Sequence, residues 1–183
     1  MKHLIPVLML VTFLVPAAAA AELPITRAQF VSALHLCSGA APRTGSSPFS
    51  DVGPEHPGAG AVLWAWELNL ARGTGGSNFT PDRPITREEA AILLRRYAAS
   101  LGWDTFLPDG VAACNDYEDI SPWADDSLYW AVHTGLMDYN AQGRLEPQGT
   151  LTPAALDELL NRFFHRPVPG LSHLLELWPD LPQ

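Results

Sequence analysis

The chain has 183 residues, one domain's worth or a little more, and its 47% hydrophobic and 17% charged composition is that of a chain that folds. The formal charge is −9, and apart from Lys2 every fixed positive side chain is an arginine. This excludes non-specific binding to nucleic acid or anionic lipid, which needs clusters of Lys and Arg, but leaves room for an anion held by one or two arginines.

Residues 1–21 read as an export signal, with Lys2 and His3 as the charged start, an apolar run from Leu4 to Val15, and small residues Ala17 to Ala21 for cleavage. The run is shorter than the roughly 20 residues a bilayer span requires; an uncleaved anchor is the alternative reading. The mature protein is expected to start near Ala21 or Glu22, outside the cytoplasmic membrane.

Residues 22–48 contain one helix start, Ile25-Thr-Arg-Ala-Gln-Phe30. Thr26 stands where an N-cap belongs and Gln29 follows three residues later, the capping box that satisfies two orphaned backbone N–H groups. Phe30, Leu34 and Cys37 recur behind it at helical spacing. In residues 49–101, Phe49-Ser-Asp-Val52 precedes a predicted helix over about 59–69. A Gly-rich turn, Arg72 to Asn78, and Phe79-Thr-Pro81 follow; then Thr86 and Glu89 repeat the capping box ahead of Ala90, Leu94 and Tyr97.

Residues 117–164 repeat this unit. Sliding Trp64–Tyr97 along by 66 places lands it without a gap on Trp130–Phe163, so that Trp64-Ala65 meets Trp130-Ala131, Phe79-Thr-Pro81 meets Leu145-Glu-Pro147, and Arg96 meets Arg162. Tyr117-Glu-Asp119-Ile120 echoes Phe49-Ser-Asp51-Val52. A helix is predicted over about 125–134, and another after Thr152, with Pro153 suited to its first position and Leu156, Leu160 and Phe163 as its apolar stripe. A lone helical hairpin cannot bury both of its stripes, so the units must pack on one another. Residues 165–183 form a linker and an amphipathic segment, Leu171 to Trp178. That segment is expected to cover the face left open by the first unit's missing leading helix, and no separate catalytic domain is expected.

The succession Phe49-Ser-Asp-Val52, Trp64-Ala65, Phe79-Thr-Pro81 and Ile85-Thr-Arg-Glu-Glu89, repeated over Tyr117–Phe164, resembles the S-layer homology domain. The resemblance runs from about Pro24 to Phe164 and implies a mainly α fold, helical-hairpin repeats packed as a pseudo-threefold bundle. It further implies grooves between units that hold cell-wall glycans, often pyruvylated, and so attach the protein to the envelope. Two turn glycines of the family, Gly73 and Gly135, are assigned by the same resemblance to the glycan site; Tyr139 and Asn69 replace them in the other copy.

The residue chemistry agrees with that role. A ketal pyruvate is a carboxylate, and an arginine fork is its natural bidentate partner. Arg27 and Arg87 each occupy the first position of a capped helix, where free N–H groups also favour an anion. Trp64, Trp66 and Trp130 offer apolar faces for a sugar ring, with core packing as the alternative. Pro153 stands in the third signature where an arginine is expected, so that groove lacks an anion clamp. The candidate glycan-binding residues are therefore Arg27, Arg87, Trp64, Trp130, Gly73 and Gly135.

Neither metal nor cofactor is expected. Asp138 to Gly143 has the oxygen spacing of a calcium loop, but Gly149 stands where a bidentate Glu belongs and the sister stretch Arg72–Asn78 lacks the pattern, so a turn explains both. No His-Glu-x-x-His, nucleophile elbow or phosphate loop is present, and no enzyme is expected. Cys37 and Cys114 could pair in an exported protein or remain free thiols. The reading is a secreted, cell-surface protein that attaches to an anionic cell-wall polysaccharide, with no nucleic-acid or membrane partner after signal cleavage. The alternative is a repeat scaffold that binds other envelope proteins and has lost its glycan site.

Overall fold

The structure, a computed structural model, describes residues 23–41, 43–110 and 113–165. The export signal and the Leu171–Trp178 segment lie outside the described residues. Among those described, five α-helices and a single 3-10 turn are present, and β pairing is confined to isolated bridges. The helices are α1 (Arg27–Cys37), α2 (Ala59–Glu67), α3 (Arg87–Ser100), α4 (Asp125–His133) and α5 (Pro153–Phe164); the 3-10 turn is Tyr117–Asp119.

The caps form as the sequence requires. Thr26 and Thr86 each accept from the backbone N–H three residues on, and Gln29 and Glu89 each accept in return from the cap's own N–H. At α5, Thr152 accepts from Ala155 N–H, and Pro153 fills the first position, where no donor is needed. The C-terminal ends of α2 and α4 also correspond. Both Leu70 and Ala71 N–H reach the Ala65 carbonyl, as Leu136 and Met137 reach Ala131. The residue making this left-handed turn is Asn69 (φ 56°) in one helix and Gly135 (φ 72°) in the other. Asparagine tolerates that conformation better than other side chains, so the replacement is conformationally sound.

The main helix–helix contacts are α1 with α2, α3 with α4 and, less extensively, α5 with α1. Helices therefore pair chiefly across unit boundaries rather than within a unit. Residues 68–86 lie between α2 and α3, and they bury Leu70, Phe79 and Ile85 completely. The core is continuous from Phe30 and Trp64 through Leu94 and Tyr97 to Trp130 and Phe163. Cys37 does not close the α1 stripe. It is exposed, Leu34 is the last buried residue of α1, and both cysteines are free thiols.

The three residues preceding the cap threonines meet at one place. Ile85 N–H donates to the Ile25 carbonyl (3.0 Å), Ile25 N–H to Leu151 (2.9 Å) and Leu151 N–H to Ile85 (3.3 Å). All three side chains are buried there.

Each Phe-x-Pro or Leu-x-Pro turn is held by a carboxylate. Asp51 accepts from Phe79 and Thr80 N–H (2.8 and 2.7 Å), and Asp116 accepts from Leu145 and Glu146 N–H at the same distances. Thr80 and Glu146 both have positive φ, at 55° and 51°. The sequence pairing of Asp51 with Asp119 is thus shifted: Val52 and Ile120 make equivalent turn bonds, to Phe49 and Tyr117, but Asp116 takes over the clamp. Asp119 instead pairs with Arg144.

Candidate functional site

Two grooves occupy corresponding positions between the units. The larger has a volume of about 510 Å³ and is walled by α3, the turn at Arg72–Thr74, and Ser121, Trp123 and Gln148 of the following segment. The smaller, about 140 Å³, lies between Leu136–Asp138 and α5. Arg27 lines the first and Arg87 the second.

Both signature arginines are turned inward. Arg27 is 5% exposed; its Nε–H donates to the Phe79 carbonyl (3.0 Å), its Nη1 lies 2.9 Å from Glu89, and its guanidinium sits 4.7 Å from the Phe79 ring centre. Arg87 donates from Nε to the Leu145 carbonyl (2.7 Å) and from Nη2 to the Asp138 carbonyl (3.1 Å). Each therefore grips the clamped turn of the next unit at corresponding atoms. Pro153, at the third signature, has no side-chain donor and makes no such tie.

Trp64 and Trp130 are core residues, 2% and 1% exposed. Trp64 packs edge-on to Tyr97 at 5.7 Å between ring centres, and Trp130 Nε1–H has no acceptor among the described residues. Neither indole offers a face to a glycan. Gly73 does line the larger groove, and it must be glycine: a Cβ there would lie 2.7 Å from the Asn78 carbonyl oxygen. Gly135 lies outside both groove linings and serves the α4 terminus. The six candidates thus divide, with Arg27 and Gly73 brought together and Arg87 in the sister groove.

The larger groove collects residues the sequence reading did not single out. Arg72, Arg83 and Arg96 join Arg27 in its wall, opposed by Glu88 and Glu89. Glu89 is committed to Arg27, Arg83 and the Thr86 cap. Glu88, 2% exposed, ties α3 to the following unit by accepting from Ser121 N–H (3.1 Å), Ser121 Oγ (2.9 Å) and Gln148 Nε2 (2.8 Å). Arg72 is exposed, and Trp123 at the rim is 60% exposed. One sequence signal could have found this cluster: five of the ten arginines of an acidic chain fall between Arg72 and Arg96. Trp123 has no counterpart in the repeat comparison, and only the fold places it.

Residues 48–91 match the family model for the S-layer homology domain. That segment carries the left-handed α2 terminus, the clamped turn and the capped start of α3 described above. The similarity to the S-layer homology domain is thus carried by this segment. Similar proteins carry it in longer chains. A "Cellulosome-anchoring protein" of Acetivibrio thermocellus is 28% identical over 147 residues, 78% of this chain and 32% of that protein. A "Cell surface protein" of Thermoanaerobacter kivui is 27% identical over 108 residues, 58% of this chain and 14% of its own. An "Endoglucanase" of a Bacillus species is 29% identical over 128 residues, 70% of this chain and 13% of its own. The chain thus spans between about an eighth and a third of these relatives. Within the matched segment the signature arginine, Arg87, is a structural tie to the next unit.

Proposed function

We propose that this protein attaches non-covalently to the bacterial cell envelope by binding an anionic secondary cell-wall polysaccharide, a pyruvylated one among the candidates, in the larger groove. The observation that carries the reading is the charge of that groove. In a chain of formal charge −9, four arginines face two glutamates around about 510 Å³ of open space, with a tryptophan face at the rim. Guanidinium groups recognise carboxylates through paired donors, and an indole face suits a sugar ring. The names of the similar cell-surface and cellulosome-anchoring proteins agree with a location at the cell surface. No helix among the described residues is long and apolar enough to cross a membrane, which suits attachment through the wall polymer.

The same proposal includes three units, 22–48, 49–101 and 117–164, arranged about a pseudo-threefold axis. The closed ring of hydrogen bonds among Ile25, Ile85 and Leu151 supports this arrangement. The protein acts as a binding module rather than an enzyme; the enzyme names among its relatives belong to proteins of which it matches a small share.

A second reading, an envelope scaffold for protein partners, is favoured by one observation: Arg27 and Arg87 spend their donors inside the fold. Sedimentation separates the two. Purified protein should co-sediment with isolated cell walls and stay in solution once the secondary polymer is extracted. Equal sedimentation with extracted walls would refute glycan attachment.

A further inference from the structure

The two grooves are related by the same 66-residue shift as the sequence copies, which allows a position-by-position comparison of their charges. Arg96 of the larger groove corresponds to Arg162 of the smaller, Arg72 to Asp138, and Ile92 to Glu158. In the smaller groove these groups close on one another. Arg162 Nη1 lies 2.6 Å from Asp138 Oδ2, and its Nη2 lies 2.5 Å from Glu158 Oε1. The guanidinium is held above the usual arginine range, first by the hydrogen bond it donates to Asp138. The charge of Arg162 is thus met within the fold. In the larger groove the corresponding neighbours are an arginine and an isoleucine. Arg96 donates from Nη1 to the Leu70 carbonyl (2.9 Å), and neither Arg96 nor Arg72 forms an ion pair among the described residues. Burial, and then the like charge of Arg72, hold Arg96 below the ordinary arginine value. Two guanidinium groups lining one cleft repel, and an anion between them relieves the repulsion.

We propose that Arg72 and Arg96 form the anion seat of the larger groove, taking a ligand carboxylate between them, and that the smaller groove is closed to anions by Asp138 and Glu158. The seat is distinct from the signature arginines, which are consumed by the fold. It rests on the reading that the groove binds a glycan, but makes a narrower claim about which groups meet its charge. A seat of two arginines in the groove that the exposed Trp123 also lines fits a sugar that carries a single carboxylate, with the ring against the indole.

The test uses glucuronate as the probe and glucose as its neutral control, followed by the NMR signals of the arginine Nε–H groups and the Trp123 indole N–H. Glucuronate should shift Arg72, Arg96 and Trp123, and glucose should shift none of the arginines. Arg72→Gln and Arg96→Gln should each weaken glucuronate binding about tenfold or more. Arg162→Gln and Arg43→Gln, which remove the same charge elsewhere, should leave it unchanged. Shifts centred on Arg162, or undiminished binding in the Arg72→Gln/Arg96→Gln double variant, would overturn the seat. Wall sedimentation of the same variants separates this from the broader reading. If glucuronate binds as described but the parent does not sediment with walls, the envelope function fails and the seat stands. If parent and double variant sediment equally, the wall polymer is held elsewhere and the seat is not its site.

Discussion

Replacing Arg27 by alanine should unfold the protein more easily rather than simply release it from a ligand. The side chain makes three contacts at 5% exposure: a hydrogen bond to the Phe79 carbonyl, an ion pair with Glu89 and a cation–π contact with Phe79. The charge-assisted bond contributes roughly 1.5–3 kcal/mol and the cation–π contact about 0.5–1 kcal/mol. Glu89 is not left unpaired, because Arg83 and the Thr86 N–H remain, so the full cost of orphaning a buried carboxylate does not apply. A loss of about 2–4 kcal/mol follows, or a fall in thermal midpoint of roughly 6–12 °C at about 3 °C per kcal/mol. Arg27→Lys should recover only part of it, since an ammonium cannot stack on the ring and donate along the Nε–H direction as the guanidinium does. Urea unfolding followed by tryptophan fluorescence reports the change, because Trp64 and Trp130 move from a closed core into water. The slope should stay constant while the midpoint falls. Arg72→Gln, on an exposed side chain, should leave the midpoint in place. An Arg27→Ala protein with the parent's midpoint would show that its internal bonds contribute nothing, and the assignment of ligand binding to Arg72 and Arg96 would lose its contrast.

Asp116→Ala should destabilise more than Asp51→Ala, because Asp116 is buried while water can replace the exposed Asp51 carboxylate; equal thermal midpoints for the two variants would refute the clamp reading. Burial pushes both carboxyls up, but the two main-chain N–H donors on each outweigh it and hold them below the usual carboxylate range. Their stabilisation is therefore present above an unfolded value of about 3.9 and is lost as pH falls through the lower folded value, so midpoints should decline below about pH 5, less steeply in Asp116→Asn. Gly135→Ala should cost about 1–2 kcal/mol by conformation alone, since a Cβ there meets no atom, whereas Gly135→Asn should cost less because Asn69 already holds the matching turn. Calorimetry of both variants checks this, and equal losses would remove the correspondence between the two helix ends. Deleting the residues after His165 should lower the midpoint by several degrees if Leu171–Trp178 covers the first unit; an unchanged midpoint would reject that cover.

Much of this protein could be read from spacing alone. The three threonine caps, the helices behind them and the copy at 66 residues are local or periodic, and local hydrogen bonding with apolar periodicity leaves a direct trace in the chain. Pro153 was legible as a sound helix start; Asn69 read only as a missing turn glycine, and the fold showed that it makes the same left-handed turn as Gly135. The clamp at Asp116 was not, because a carboxylate one turn away from its expected place can reach the same N–H groups, and a pattern search sees only the place. The direction in which each side chain faces was decided by tertiary packing. Arg27 sits at a helix start, where the sequence permits either an anion or a carbonyl as its partner; the turn of the next unit supplies the carbonyl, and Glu89 pairs with the rest of the guanidinium. Arg96 and Arg162 hold the same position in the two copies. One remains available and the other is neutralised only because the turn and helix facing them carry Arg72 and Ile92 in one groove, and Asp138 and Glu158 in the other. Charge balance in a groove depends on which side chains the fold brings face to face, and residues 24 positions apart become neighbours only when the chain has closed on itself.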